Sequence, residues 1–236
     1  MEKVVLLGND TPHRRYIINS LIDRGFNISD CLFQTNNLEP SFDTKPKWQT
    51  QENEALISLF ENEARQDLER VSVQYVRDLN DTTSQDYLKT IAPSFYIVSG
   101  AGKLKGSILQ LITNKSLNVH IGYAEEYRGL DSNLWAIYHG DYSHIGVTLH
   151  KLENELDTGN IIEQTTLDLP SDIAITTLRY YESRLAVEML TRALEKQRQG
   201  QLASRKQTSL GRYYSFMPAC LKDHIESKIT KATRLK

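Results

Sequence analysis

The chain is predicted to be an α/β protein: a Rossmann-like, mostly parallel sheet flanked by helices. Two observations carry this. Short apolar runs bounded by turn residues alternate with stretches of helical periodicity over the first 120 residues, the pattern of successive strand–helix–strand units. The first run, Val4–Gly8, is apolar throughout, as in a central strand covered on both faces, whereas Val71–Val76 alternates. Val4–Gly8 ends at a glycine. Asn9, Asp10 and Thr11 offer caps, Pro12 suits a first helical turn, and Tyr16, Ile17, Leu21 and Ile22 recur at helical spacing until Gly25 stops the helix. Ile28–Phe33 reads as the second strand, and the polar stretch 35–50 with Pro40 and Pro46 as a surface loop. Leu56, Leu59, Phe60, Ala64 and Leu68 mark an amphipathic helix, Val71–Val76 a strand, Thr83–Ile91 a short helix and Phe95–Val98 a strand closed by Ser99 and Gly100. Leu104–Ile112 is predicted helical and Leu117–His120 extended.

After His120 the pattern changes. Residues 121–133 read as a polar loop, Leu134–Tyr138 as a helical turn, and His144–Lys151 with Ile161–Leu167 as a hairpin joined by the turn Leu156–Asn160. A long helix begins at Ser171, its apolar face carried by Ile175, Leu178, Leu185, Met189, Leu190 and Leu194, and it ends near Gly200. We expect residues 1–200 to form the core. Residues 201–236 would be a short polar, basic tail around Gly211-Arg212-Tyr213-Tyr214-Ser215-Phe216-Met217-Pro218.

Length and composition bound the function. At 236 residues the chain suits one large domain with a modest appendage. Apolar residues make up 39% and the net charge is −2, which gives no global electrostatic case for nucleic acid. The opening residues MEKVVLLGND lack the long apolar stretch of a secretory signal, and no run reaches membrane-span length, so no membrane partner and a cytoplasmic location are expected. Cys31 and Cys220 have no zinc-like spacing and read as free thiols; no metal site is expected.

The segment 117–162 holds the chemistry. Asn118 and His120 lie two apart, so a strand places both on one face. Asp157 comes later, in a Glu-Leu-Asp-Thr-Gly turn. An amide can donate to a developing oxyanion, an imidazole can move a proton near pH 7, and a carboxylate can orient that imidazole. No Ser or Cys accompanies the set, so the attacking group would come from the substrate. His139, His144 and His150 read as surface or hairpin residues, with His150 also able to face the cleft from the strand that enters the Asp turn. Trp135 is expected to fill the core beneath the Arg-Gly loop, and Trp48 has no evident role in its polar loop.

Asn118-Val119-His120, Arg128-Gly129, Gly146-Val147-Thr148 and Leu156-Asp157-Thr158-Gly159 stand in an order that resembles the folate-dependent formyltransferases. That family includes glycinamide ribonucleotide transformylase, methionyl-tRNA formyltransferase and the sugar N-formyltransferases. One departure is Gly122-Tyr123-Ala124-Glu125-Glu126, where many members have Leu-Pro before the Arg. The resemblance implies N10-formyltetrahydrofolate as formyl donor and an amine as acceptor. It implies that Asn118 bonds the oxyanion, that His120 stabilises that charge and takes the amine's proton, and that Asp157 orients His120. It places the pterin near Gly100, Gly102, Lys103, Leu104 and Lys105 on one side and Leu152, Glu155 and Leu156 on the other.

The residues after the long helix narrow the acceptor. About forty residues are few for the C-terminal domain of a methionyl-tRNA formyltransferase, and the basic excess of a tRNA binder is missing. The first loop, with Asp10 and Pro12, is poor as a phosphate cradle of the glycinamide ribonucleotide type. The Tyr-Tyr-x-x-Pro tail looks like the sugar N-formyltransferases, which implies a nucleotide-linked amino sugar, most simply on dTDP, for surface polysaccharide or O-antigen synthesis. Asn9, Arg14, Arg128, Arg212, Tyr213 and Tyr214 are the substrate-binding candidates, and a homodimer is the implied assembly. Two alternatives stay open: glycinamide ribonucleotide transformylase and a non-catalytic relative of the same fold. A Rossmann dehydrogenase is disfavoured, because the first turn lacks Gly-x-Gly-x-x-Gly.

Overall fold

Val4, Val5, Leu6 and Leu7 are all buried, so β1 (Val4–Gly8) is covered on both faces and must be central. The computed structural model, described over residues 2–36 and 38–232, places it so. α1 (Pro12–Asp23) starts on its proline and gives way to Gly25 at φ +83°. β2 (Ile28–Gln34), α2 (Gln49–Glu63), β3 (Ser72–Val76), α3 (Thr82–Ile91), β4 (Phe95–Ser99), α4 (Gly106–Ile112) and β5 (Ser116–His120) continue the expected alternation. Then come β6 (Tyr127–Gly129), α5 (Ser132–His139), the hairpin β7 (Gly146–His150) and β8 (Ile161–Thr166), α6 (Ile175–Arg198), β9 (Arg212–Tyr214) and α7 (Ala219–Ala232).

The main sheet runs β3-β2-β1-β4-β5-β7-β8. Its first five strands are parallel, and β7 and β8 are antiparallel. Strand order reverses between β1 and β4, the topological switch point where such sheets take ligands outside their C-terminal ends. Alternation sorts the strands' side chains between two layers. Val4, Leu6, Phe95, Ile97, Leu117 and Val119 pack against α1, α2 and α6. Val5, Leu7, Leu32, Tyr96 and Val98 pack against α3 and α4. Asn118 and His120, lying between Leu117 and Val119 and after it, therefore face away from the α6 layer.

A third apolar cluster joins the tail to the body. Met217, Ile225 and Ile229 share it with Tyr127, Ile137, Ile145 and Leu178. The tail therefore folds as a strand and a helix rather than as an irregular segment. β9 pairs in parallel with β6, inside the stretch expected to be a loop. Trp48 is buried in the same cluster and donates its indole N–H to Lys222 O at 3.3 Å. Trp135 is only half-buried and stacks on Tyr214, 5.1 Å between ring centroids. No described helix is long and apolar enough to cross a membrane.

α6 is the longest helix and lies across the sheet with Leu190 fully buried. Replacing Leu190 with Ala removes buried methyl groups without relieving the surrounding packing. It is expected to cost about 3 kcal/mol of stability, read from urea unfolding.

Candidate active site

Asn118 sits opposite His150 in the antiparallel pairing of β5 and β7, and His120 opposite Thr148. Directly opposed residues share a face, so this register adds an imidazole to the Asn–His pair. His150 is 2% exposed, and its Nδ1 lies 2.8 Å from Lys151 O. A carbonyl only accepts, so Nδ1 carries the proton and Nε2 is left to accept from the Asn118 amide at 3.0 Å. His150 thus fixes which end of the Asn118 side chain is the donor. The sequence allows His150 either a hairpin or a cleft-facing place; the strand register puts it in the cleft.

His120 is buried at 5% exposure, its Nε2 donating to Tyr127 O at 2.8 Å. Its Nδ1 lies 3.4 Å from Asp157 Oδ2, so charge arriving on the ring meets a carboxylate. Asp157 Oδ1 lies 3.3 Å from His150 Nε2, and Oδ2 accepts the Gly129 N–H at 2.8 Å. Burial alone would raise the Asp157 carboxyl. The neighbouring His120 ring and the Gly129 N–H outweigh it and hold the group well below the ordinary carboxylate range. Two imidazoles and a carboxylate resemble a metal shell, yet among the described residues no group of three or more His, Cys, Asp or Glu is arranged to hold an ion.

The motif glycines have spatial reasons. Gly129 stands at φ +91°, and a Cβ there would lie 2.1 Å from Tyr214 O, so only glycine brings its N–H to Asp157 while pairing with the tail. A Cβ on Gly122 would come 2.4 Å from His120 Nε2.

The two loops expected to hold the cofactor lie against each other. Lys103 Nζ is 3.3 Å from Glu155 Oε1, and Leu104 and Leu152 are buried in one cluster with Val98 and Leu109. Lys105 N–H is held by Asn80 Oδ1 at 2.9 Å. Gly102 is left-handed, at φ +66°. Beside Leu152 opens a groove of about 460 Å³, lined by Gly106, Leu109, Gln110, Thr113 and Asn154 among others. Gly100 instead backs Arg14, whose guanidinium would lie 1.9 Å from a Cβ at that position.

The substrate candidates separate into three places. Asn9 and Arg14 meet at the switch point: Arg14 is 8% exposed and bonds Asn9 Oδ1, Ser99 Oγ and Thr11 Oγ1, all neutral. Burial first, then the nearby Arg179, pull its guanidinium down to about 9. Arg128 donates to Gly211 O at 2.6 Å and to Leu156 O at 3.2 Å, so it braces the Asp turn against the tail. Arg212 and Tyr213 are exposed at the rim, whereas Tyr214 packs between Trp135 and Tyr127.

Glu125, in the segment that departs from the resembled pattern, is a hub. It is 6% exposed and accepts from both Arg205 terminal nitrogens at 2.8 Å, from Thr208 N–H and hydroxyl, and from Gln164. The Arg205 bonds dominate over burial and depress its carboxyl far below the usual range.

A half-buried amide, two buried imidazoles and a buried carboxylate thus meet on one face of β5 and β7, with no Ser or Cys nucleophile among the residues that bond them. The Formyl transferase family model matches residues 34–194, and the chain belongs to that family. Methionyl-tRNA formyltransferase of Caldanaerobacter subterraneus subsp. tengcongensis is 31% identical over 121 residues, 51% of this chain and 39% of that protein. That of Anaeromyxobacter dehalogenans strain 2CP-C is 31% identical over 125 residues, 52% of this chain and 40% of the relative. The chain therefore aligns with less than half the length of these relatives. Among solved structures, a 4-N formyltransferase from Francisella tularensis superposes with a TM-score of 0.63 at 14% identity, covering 98% of this chain and 87% of that one. The formyltransferase PseJ from Anoxybacillus kamchatkensis was solved with UDP-4,6-dideoxy-4-formamido-L-AltNAc and tetrahydrofolate. It superposes at 0.56 with 19% identity, covering 90% and 85%. At these identities the structures share the fold.

This geometry sets two expected outcomes. Gly122→Ala should displace the His120 ring from Tyr127 O, seen as a shift of its ring 15N resonances in an otherwise folded protein. Glu125→Gln should lower the urea midpoint at pH 7. A depressed carboxyl contributes its stability fully above its unfolded value of about 4.3 and loses it as pH falls toward the folded value. The gap between variant and wild type should therefore narrow below about pH 4.

Proposed function

We propose that this protein transfers the formyl group of N10-formyltetrahydrofolate to the amine of a nucleotide-linked amino sugar. The observation that carries the reading is the convergence of Asn118, His120, His150 and Asp157 on one face of β5 and β7, in a chain of the formyl transferase family. The donor supplies an activated formyl carbon. Its fit is supported by the apposed loops 100–105 and 152–156 and the groove beside Leu152, which offer an apolar wall of Leu104, Leu109 and Leu152 and polar edges. Such a surface suits a flat heteroaromatic ring.

The chain's own residues account for the transfer. When an amine adds to a carbonyl carbon, negative charge grows on oxygen. The Asn118 amide, oriented by His150, has a second N–H to give that oxygen. The amine sheds a proton; with its Nε2–H on Tyr127 O, His120 has Nδ1 free to take it beside the Asp157 carboxylate and to pass it to the departing nitrogen. Asp157 stays ionised throughout.

Three features support a sugar nucleotide as acceptor. Arg14 is buried among neutral acceptors at the switch point, so an anionic group would supply the missing counter-charge. Tyr213 is 49% exposed and offers an aromatic face to a base, while Arg212, exposed on the opposite side of β9 over the Tyr214 ring, offers a cation to a phosphate. Neighbouring folds include the 4-N formyltransferase and PseJ. On this reading the nucleotide is dTDP and the product an N-formylated dideoxy sugar for surface polysaccharide. The curated relatives instead favour methionyl-tRNA, against which the net charge of −2 counts.

An end-point mass-spectrometric assay decides between these. The protein is mixed with the formyl donor and dTDP-linked 3- and 4-amino sugars, a UDP-amino sugar, glycinamide ribonucleotide and methionyl-tRNA. One formyl group gained on a sugar nucleotide is the expected result; a gain on tRNA or glycinamide ribonucleotide alone overturns the acceptor. Asn118→Ala should lower kcat by about 10²- to 10³-fold with little change in the donor KM. Arg14→Gln should raise the acceptor KM about tenfold, the effect of one charge-assisted contact, and leave the donor KM alone.

A further inference from the structure

We propose that the tail segment 205–214 is a strap that positions the catalytic carboxylate, and that Gln207 is its positioning residue. The inference rests on the reading of Asp157 as the carboxylate behind His120, and it assigns the tail a part in the reaction other than substrate contact.

Asp157 is held at φ +57°, a conformation uncommon for a residue with a side chain. The Gln207 amide nitrogen donates to Asp157 O at 2.8 Å and to Gly159 O at 2.9 Å. Both of its hydrogens are used, and the two carbonyls on either side of Thr158 are pinned by one group. The Gln207 Oε1 is buried without a hydrogen-bond partner. A side chain that tolerates this penalty is being held for what its nitrogen does.

The strap is itself fixed on both sides of Gln207. Before it, Arg205 exchanges backbone hydrogen bonds with Ile161 at 2.7 and 2.8 Å, immediately beyond the Asp turn. After it, Thr208 donates its N–H and hydroxyl to Glu125, and Ser209 Oγ donates to Glu125 O at 2.7 Å. Arg205 also forks onto the Glu125 carboxylate. Farther on, Gly211 O accepts from Arg128, which also reaches Leu156 O, and β9 pairs with β6.

The loop closes on Asp157 from two directions. Its carbonyl is tied to the strap through Gln207. Its carboxylate is tied through Gly129, whose own strand is paired to the strap. Rotation of the turn would break both ties together. Glu125, where the resembled pattern differs, is the anchor of the strap.

The test uses the full chain carrying Gln207→Met, which keeps length and packing but has no donor, and Gln207→Glu, which faces both carbonyls with acceptors. Transfer kinetics and 15N-histidine spectra are read together. The expected result is a fall in kcat of about tenfold for Met and more for Glu, with unchanged KM for donor and acceptor. The pH profile of kcat should shift, and the His120 and His150 ring resonances should move. If Gln207→Met does not fold, Glu125→Gln, which releases the far end of the strap, should move the same resonances. Unchanged kcat, pH profile and histidine resonances in Gln207→Met overturn the proposal. A wild-type protein without transfer activity overturns the functional reading. The histidine spectra still decide whether the strap positions Asp157: resonances that move support it, and resonances that stay overturn it.

Discussion

A carboxylate at 8% exposure is the constraint on which the rest of this structure turns. Asp157 has left water, and a bare charge there would be costly. Its compensation comes from two separate pieces of chain: a backbone N–H at Gly129 and an imidazole on β5, while the β7 imidazole packs beside them and holds Asn118. Each demands something further. Gly129 must be glycine, β6 must sit beside the turn, and the hairpin must place His150 opposite Asn118. The antiparallel addition of β7 and β8 to a parallel sheet is what allows the last of these.

The parallel part of the fold was legible because β1, β2, β4 and β5 are short apolar runs with glycines or polar turns at their ends, and burial on both faces leaves that mark. Asn118 and His120 were legible for the same reason: polar residues two apart in an otherwise apolar strand are conspicuous. What escaped depends on partners distant in the chain. For His150 the sequence offers the cleft as one of two places, and only the strand register decides between them. β9 is three residues long, with exposed Arg212 and Tyr213, and forms because β6 lies beside it. α7 buries Ile225 and Ile229 among many charged residues, too few apolar positions for a clear periodic signal. Glu125 reads as a surface acid until Arg205, eighty residues later, is brought against it.

Shared fold and family set the chemistry, whereas acceptor choice lies in what each chain adds around the same edge of the sheet. Here the additions are the buried Arg14 at the switch point and a tail woven into the Asp turn. The tail contributes packing through Met217 and α7, a brace through Arg128, and an exposed aromatic at Tyr213. On the proposed reading, recognition and positioning would share this one segment.

In the proposed mechanism an ionised Asp157 assists proton movement through His120. Its sharpest test is the pH dependence of single-turnover formyl transfer by Asp157→Asn, with donor binding measured in parallel. Folding and donor binding should be unchanged. The transfer rate should fall by about 10³-fold or more, and the wild-type pH dependence on the acid side should be lost. A rate within a few-fold of wild type, with the same pH profile, would contradict this role for Asp157.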